Sequence, residues 1–115
     1  MIATLKFKHH FDAAHKLYDY EGKCSKLHGH RWEVIIEARG QLNKKGFLID
    51  FKEIESIIDE LDHAYINEKT ELNPTAENIA CYFLENFEHE FPHTQFKVTI
   101  FESPNASITV KSKNY

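Results

Sequence analysis

The sequence lacks the features that would place it in a membrane or outside the cell. No apolar run approaches the roughly 20 residues that a membrane-spanning helix needs. The N-terminus, MIATLKFKHHF, has no basic start followed by a long apolar region, so it does not resemble a secretion signal. We therefore expect a cytoplasmic protein with no membrane partner.

Cysteine and positive charge are also scarce. The two cysteines, Cys24 and Cys81, are expected to be free thiols, because a chain without an export signal stays in a reducing compartment. The formal net charge of −4 argues against nucleic acid as a partner, which would require a basic face. The segment from Lys16 to Arg31, however, contains four basic and two acidic residues, so its local net charge is +2. This surplus suits an anionic substrate, although a solvated loop has the same composition.

The periodicity of the chain predicts one α+β domain spanning residues 1–115. Apolar residues alternate in strands and recur at helical spacing in helices, and both helices have a candidate N-cap. Asp50 with Glu53 resembles a capping box. The predicted elements are strands at 2–11 and 30–40, helices at 50–61 and 76–88, and strands at about 96–102 and 107–111. The order is ββααββ, for which we expect an antiparallel four-stranded sheet with two helices packed on one face.

The connection between the first two strands, residues 12–29, is long for a structureless loop, and such loops are often functional. Near its end lies KCSKLHGHRW, in which His28 and His30 point to one face of an extended chain. His15 has the parity of the buried face of strand one and would meet them if the two strands pair. Three histidines are the ligand set of a catalytic zinc with an open fourth position.

Two alternatives remain for this cluster. The histidines could be ordinary polar residues near a loop, or Cys24 could be a fourth ligand that closes a structural zinc site without chemistry.

Three further residues are candidates from the sequence. Asp62 and His63 follow the first helix and could form a proton relay, although a helix-end cap beside a surface histidine has the same sequence. Glu102 lies at the inward end of an apolar stripe, where an ionised carboxylate needs a partner. That partner could be a donor-rich ligand or an ordinary salt bridge.

The motifs FDAAH, CSKLHGH, GFLIDF, LDH, NPTAEN and FES, in this order, resemble the 6-pyruvoyltetrahydropterin synthase family over essentially the whole chain. The resemblance implies a tunnelling fold, in which ββααββ units associate into barrels in a homohexamer. A cysteine separated from HGH by three residues is similar to the 6-carboxytetrahydropterin synthases of the queuosine pathway. Pyruvoyl-forming enzymes tend to have a longer gap, and members that make hydroxymethyl pterin commonly have glutamate in place of the cysteine.

The resemblance also implies roles for the candidates. Zn²⁺ would be held by His15, His28 and His30, Cys24 would be the general base, and Asp62 with His63 would complete a proton relay. Glu102 would anchor the pterin ring of 7,8-dihydroneopterin triphosphate. Trp32 stands where many relatives have tyrosine or phenylalanine. A pyruvoyltetrahydropterin synthase and a non-catalytic zinc-binding module are the alternative functions.

Overall fold

Two 14-residue strands form the centre of the molecule. The computed structural model describes all 115 residues, with a single 3-10 turn at Lys23–Ser25 in the first loop. The elements in chain order are β1 (Ile2–His15), β2 (His28–Gln41), α1 (Phe51–Asp59), β3 (Ala64–Tyr65), α2 (Ile66–Lys69), α3 (Ala76–Glu90), β4 (Gln95–Ser103) and β5 (Ala106–Lys111). None of the three helices combines the length and apolar character needed to cross a membrane.

The strands form one sheet in the order β3-β1-β2-β4-β5. All neighbours are antiparallel except β3, which runs parallel to β1. The α+β class is confirmed, but the prediction of a four-stranded antiparallel sheet with two helices is wrong in detail. The sheet has five strands and is mixed, and α2 adds a third helix. A two-residue strand and a four-residue helix are too short to leave a periodic pattern in the sequence.

The core lies between one face of the sheet and the helices, as the alternation predicted. The helix α3 packs over β4 and β5, and α1 packs over β1. The side chains that are fully buried on the sheet include Phe11, Trp32, Ile36, Phe96, Val98 and Ile100, and those on α1 and α3 include Ile54, Ile58, Ile79, Phe83 and Phe87. Burial of these apolar side chains holds the helices against the sheet. This packing positions the strands that carry the candidate site.

Both predicted N-caps are present. The Asp50 carboxylate accepts a hydrogen bond from the Lys52 N–H at 3.0 Å, and the Thr75 hydroxyl accepts one from the Asn78 N–H at 3.1 Å. The reciprocal capping box at Asp50 does not form, because Glu53 meets the cap through its own backbone N–H and the carbonyl of Asp50. Each cap still satisfies a donor that the first helical turn would leave unpaired.

The pairing of β1 with β2 continues further than the sequence predicted. The ladder runs to His15, which lies directly opposite His28, and Ala13 lies opposite His30. The loop is therefore residues 16–27 rather than 12–29, and the histidines at its two ends belong to strands. Paired strands hold side chains more firmly than a loop does, so the register fixes where these imidazoles meet.

Candidate active site

Three histidine side chains meet where β1 ends and β2 begins. His15, His28 and His30 project from the same face of the sheet as the core, and their ligand nitrogens all lie within 4.8 Å of one another. The Nε2 atoms of His15 and His28 are 2.9 Å apart. His15 is fully buried, whereas the other two are half-buried, so the group is open on one side.

Backbone carbonyls determine which nitrogen of each ring faces the others. Nδ1 lies 2.8 Å from the Pro74 carbonyl in His15, 2.8 Å from the Lys26 carbonyl in His28, and 3.0 Å from the Arg31 carbonyl in His30. A carbonyl oxygen only accepts, so each Nδ1 donates its proton and leaves a lone pair on Nε2. Lone pairs that converge at 2.9 Å repel each other unless a cation or a proton lies between them. The donor set therefore fits a divalent metal ion.

The protonation of His15 agrees with this arrangement. Burial lowers the pKa of His15 below 6.5, and the neighbouring His28 and His30 lower it further. The hydrogen bond with the Pro74 carbonyl and the nearby Glu102 carboxylate act in the opposite direction. The neutral imidazole that results is the form that binds metals.

The Trp32 ring packs against the rings of two of the histidines. Its ring centroid lies 4.3 Å from that of His30 and 4.8 Å from that of His15, and its other side stacks on Phe11. The indole side chain is fully buried, yet its Nε1–H has no hydrogen-bond partner. Trp32 thus contacts two of the three imidazoles of the cluster.

Cys24 lies outside the group of converging ligand atoms. It is half-buried in the 3-10 turn of the β1–β2 loop, and its carbonyl accepts a hydrogen bond from the Leu17 N–H at 3.0 Å. The cluster whose ligand atoms come together consists of three histidines and no cysteine. The Cys24 thiol is therefore not part of the group of ligand atoms that the three histidines form.

Asp62 and His63 are held against β1 at the end of α1. One oxygen of the Asp62 carboxylate accepts the Asp12 N–H at 2.9 Å, and the other lies 3.0 Å from Nδ1 of His63. The Asp12 N–H, followed by His63, holds the pKa of Asp62 below its ordinary value. His63 has a positive φ of 57° and donates its backbone N–H to the Asp12 carbonyl, which keeps its side chain largely exposed.

The exposed ring of His63 lines a surface cleft of about 530 Å³. His30 lines the same cleft, together with Asp12, Ala14 and Arg31. His63 and one member of the histidine cluster, His30, therefore border the same cleft.

Glu102 lies beside the histidine cluster. It continues the inward face of β4, and its carboxylate is 3.8 Å from Nε2 of His15. No lysine or arginine pairs with it, so the salt bridge considered from the sequence is not of the ordinary kind. Glu102 and His30 line a second cleft of about 290 Å³, in which a carboxylate oxygen is available to a donor on a ligand.

One ion pair that was not predicted from the sequence lies on the opposite face of the same two strands. Arg31 donates two hydrogen bonds to the Asp12 carboxylate, at 2.9 and 3.1 Å, across the β1–β2 ladder. Each charge stabilises the other, which lowers the pKa of Asp12 and raises that of Arg31. The signal was available, because a register that pairs His15 with His28 also places Asp12 opposite Arg31.

The fold and the cluster define a class of protein: a small α+β domain with an open metal-ligand group at one end of its sheet and a carboxylate beside it. Comparison with known proteins identifies the family. The model of the 6-pyruvoyl tetrahydropterin synthase family matches residues 4–113. The chain belongs to this family, which confirms the resemblance drawn from its motifs.

Individual relatives carry two kinds of name. A 6-carboxy-5,6,7,8-tetrahydropterin synthase from Haemophilus influenzae is 30% identical, with 84% of this chain and 89% of that protein covered. A dihydroneopterin monophosphate aldolase from Pyrococcus furiosus is 35% identical, with 80% and 81% covered. A Pyrococcus horikoshii relative is 43% identical, but the match spans 51% of this chain and only 38% of that protein.

A solved structure gives the same fold. The 6-pyruvoyl tetrahydropterin synthase from Caenorhabditis elegans superimposes with a TM-score of 0.80 at 27% identity, covering 98% of this chain and 97% of that one. The overall arrangement of the chain therefore matches that of a solved structure over almost its whole length.

Proposed function

We propose that the protein is a zinc-dependent lyase of queuosine biosynthesis, a 6-carboxytetrahydropterin synthase. It would convert 7,8-dihydroneopterin triphosphate and water to 6-carboxy-5,6,7,8-tetrahydropterin, acetaldehyde and triphosphate. The observation that carries the proposal is the convergence of three Nε2 lone pairs beside the unpaired carboxylate of Glu102. In a chain of this family, that arrangement supports a metal next to a ring-binding group.

The metal of the proposal is Zn²⁺, held by His15, His28 and His30. Three neutral imidazoles with one open position are a ligand set of catalytic zinc, and carbonyl acceptors on each Nδ1 are the outer contacts that such ligands usually have. Bound zinc supplies Lewis-acid polarisation of the hydroxyl groups on the substrate side chain.

The other proposed roles, those of general base, proton relay and ring-binding group, belong to side chains of the protein. Cys24 acts as the general base that takes a proton from the side chain of the substrate, because a thiolate is the reactive form of cysteine near cationic groups. Asp62 orients the His63 ring through its contact with Nδ1, and His63 moves a proton within the cleft that it shares with His30. The Glu102 carboxylate accepts hydrogen bonds from the N–H groups of the pterin ring.

Two other catalytic functions share this site. A pyruvoyltetrahydropterin synthase would use the same residues but convert a shared intermediate to a different product. The three-residue gap between Cys24 and HGH favours the carboxy product. The Pyrococcus furiosus relative is named for a monophosphate substrate and an aldolase reaction. Against that function, this chain has Cys24 where members that form hydroxymethyl pterin commonly have glutamate.

The direct test supplies both phosphate forms of the substrate. The zinc-loaded protein is incubated separately with 7,8-dihydroneopterin triphosphate and with the monophosphate, and the pterin product is identified by mass spectrometry alongside an acetaldehyde assay. We expect carboxytetrahydropterin and acetaldehyde from the triphosphate. A pyruvoyl or hydroxymethyl pterin as the product would contradict the proposal, as would the absence of turnover in both arms.

Cys24→Ala separates the base from a structural ligand. If Cys24 is the base, the variant should keep its zinc and its melting temperature, while turnover falls by about 10²–10⁴-fold, as is usual for a lost acid or base. His15→Ala is the matched control, because loss of a buried ligand should release zinc. A Cys24→Ala protein without zinc, or with full activity, would show that the assigned role is wrong.

A further inference from the structure

The three residues before α3 contact His15, the β1–β2 loop and the first turn of α3. The carbonyl of Pro74 accepts the hydrogen bond that orients His15, and the hydroxyl of Thr75 caps α3. The side-chain amide of Asn73 reaches the β1–β2 loop instead. Its oxygen accepts the Tyr18 N–H at 2.8 Å, and its nitrogen lies 3.4 Å from the Tyr18 carbonyl.

A backbone hydrogen bond beside Tyr18 connects this part of the loop to Cys24. The preceding residue, Leu17, donates its backbone N–H to the Cys24 carbonyl at 3.0 Å, which closes the loop between residues 17 and 24. The loop has little else to hold it, because no residue from 16 to 27 is buried and only Leu17, Cys24 and Ser25 are half-buried. Its position therefore depends on a few backbone hydrogen bonds rather than on apolar packing.

Asn73 is itself fixed from the other side. Its backbone carbonyl accepts the side-chain N–H of Asn78 at 2.9 Å and the Thr75 N–H at 2.8 Å, and both of these residues belong to the first turn of α3 or its cap. Asn73 thus precedes α3 and is hydrogen-bonded to its first turn, and the helix itself is anchored by a stripe buried in the core. A rigid element holds one end of the contact, and an exposed loop receives the other.

We propose that Asn73 is a positioning residue, which sets the place of Cys24 relative to the histidine cluster through Tyr18 and Leu17. The inference rests on the proposed function, in which Cys24 is the base. The segment Asn73–Pro74 then fixes two groups at once, since the Pro74 carbonyl orients His15 and the Asn73 amide places the loop that carries the thiol. A displacement of a reacting group by about 1 Å can cost on the order of 10²-fold in rate, so this contact should matter for turnover.

The chain offers a matched control at Asn67. Its side-chain amide makes the same pair of contacts to the backbone of the same loop, at Lys16, with distances of 3.0 and 2.8 Å. Asn67 and Asn73 are both half-buried. Lys16 adjoins His15 and has no hydrogen bond to the Cys24 segment, so loss of the Asn67 amide should cost similar stability without moving Cys24.

The test compares Asn73→Ala, Asn73→Asp and Asn67→Ala in the zinc-loaded protein. The readouts are kcat, KM, zinc content, and the rate at which iodoacetamide alkylates Cys24, followed by peptide mass spectrometry so that Cys81 is counted separately. For Asn73→Ala we expect kcat to fall by about 10- to 100-fold. KM should stay within about twofold and zinc should stay bound, while Cys24 is alkylated several-fold faster because the loop is released.

Asn73→Asp keeps the acceptor for the Tyr18 N–H and should restore most of kcat and the slow alkylation. Asn67→Ala should resemble the wild type in both readouts. Equal losses in Asn73→Ala and Asn67→Ala, unchanged alkylation in Asn73→Ala, or no recovery in Asn73→Asp would each overturn the assignment. If the wild-type protein does not turn over the pterin, the proposed function fails, while the alkylation rates still decide whether Asn73 places Cys24.

Discussion

Single carboxylates at this site differ because their neighbours differ. Asp12 faces Arg31 in a two-point ion pair, and Asp62 accepts a backbone N–H, so both are satisfied within the chain. Glu102 makes its one ion-pair contact with His15, at 3.8 Å, and its side chain lines a cleft. A carboxylate without a cationic partner keeps its acceptor capacity for a ligand.

Glu102→Gln tests this difference at the level of one residue. The amide keeps the shape of the side chain but replaces one acceptor oxygen by a donor, so hydrogen bonds to the pterin ring are lost. We expect KM to rise by at least about tenfold, in line with the 1.5–3 kcal/mol of a hydrogen bond to a charged group. Zinc content should not change. Unchanged saturation kinetics would return Glu102 to a structural role.

Asp62 should contribute a pH-dependent stability. Its pKa is lowered below 3.8 in the folded chain, so the stabilisation is present above that pH and is lost as the pH falls through the lower folded value. Asp62→Asn cannot ionise. Urea unfolding of both proteins should therefore show a stability difference at about pH 6 that shrinks at about pH 3. A difference that is the same at both pH values would contradict the assignment.

The secondary-structure elements vary in how they are stabilised. The helix α3 buries a stripe of five residues, whereas α1 buries only two, Ile54 and Ile58. The shorter helix, of nine residues, is below the length at which isolated helices are stable in water, so it relies on packing and on its cap at Asp50. The strand β3 and the helix α2 depend entirely on neighbouring elements.

Asp50→Ala should lower the free energy of unfolding by about 1 kcal/mol, within the 0.5–2 kcal/mol typical of a lost N-cap. The residue is exposed, so no cavity or buried charge complicates the change. Asp50→Asn keeps a capping oxygen and should cost much less. Urea denaturation of the three proteins measures the difference, and equal destabilisation by Asn and Ala would show that the capping hydrogen bond is not the source of the effect.

At the scale of the whole molecule, the sheet is covered on one face only. The long β1–β2 pair sets the largest dimension of the chain, 50 Å against 26 and 25 Å. At one edge of the sheet, β5 has no strand on its outer side. At the other edge, the two-residue β3 pairs only with Ala13 and Ala14, so most of the outer edge of β1 has no partner strand. Natural proteins pair or cover such edges.

We predict that copies of the chain pair these edges in a closed homo-oligomer, and that it is a hexamer as the family resemblance implies. Light scattering after size-exclusion chromatography should give six times the 13.5 kDa of one chain at micromolar concentration. A mass of one chain would refute the assembly, and a different closed multiple would refute the hexamer alone.

Periodicity in the sequence determined the long elements and the three-histidine cluster. Alternation in β1, β2, β4 and β5 and the helical stripes of α1 and α3 are local patterns, and local patterns survive without knowledge of the fold. The common face of His28 and His30 follows from a spacing of two residues, and the parity of His15 follows from the same rule. The family motifs lie at the ends of these elements and in the connections between them.

Only the tertiary structure determined which distant segments of the chain contact each other. The strand β3 exists because Ala64 pairs with Ala13, and the orientation of His15 depends on the carbonyl of Pro74, 59 positions along the chain. Asn73 reaches Tyr18 across 55 positions. Such contacts leave no periodic signal, because the two partners are brought together by the packing of the core between the helices and the sheet. For that reason the ligands of the cluster were visible in the sequence, whereas the groups that orient them were not.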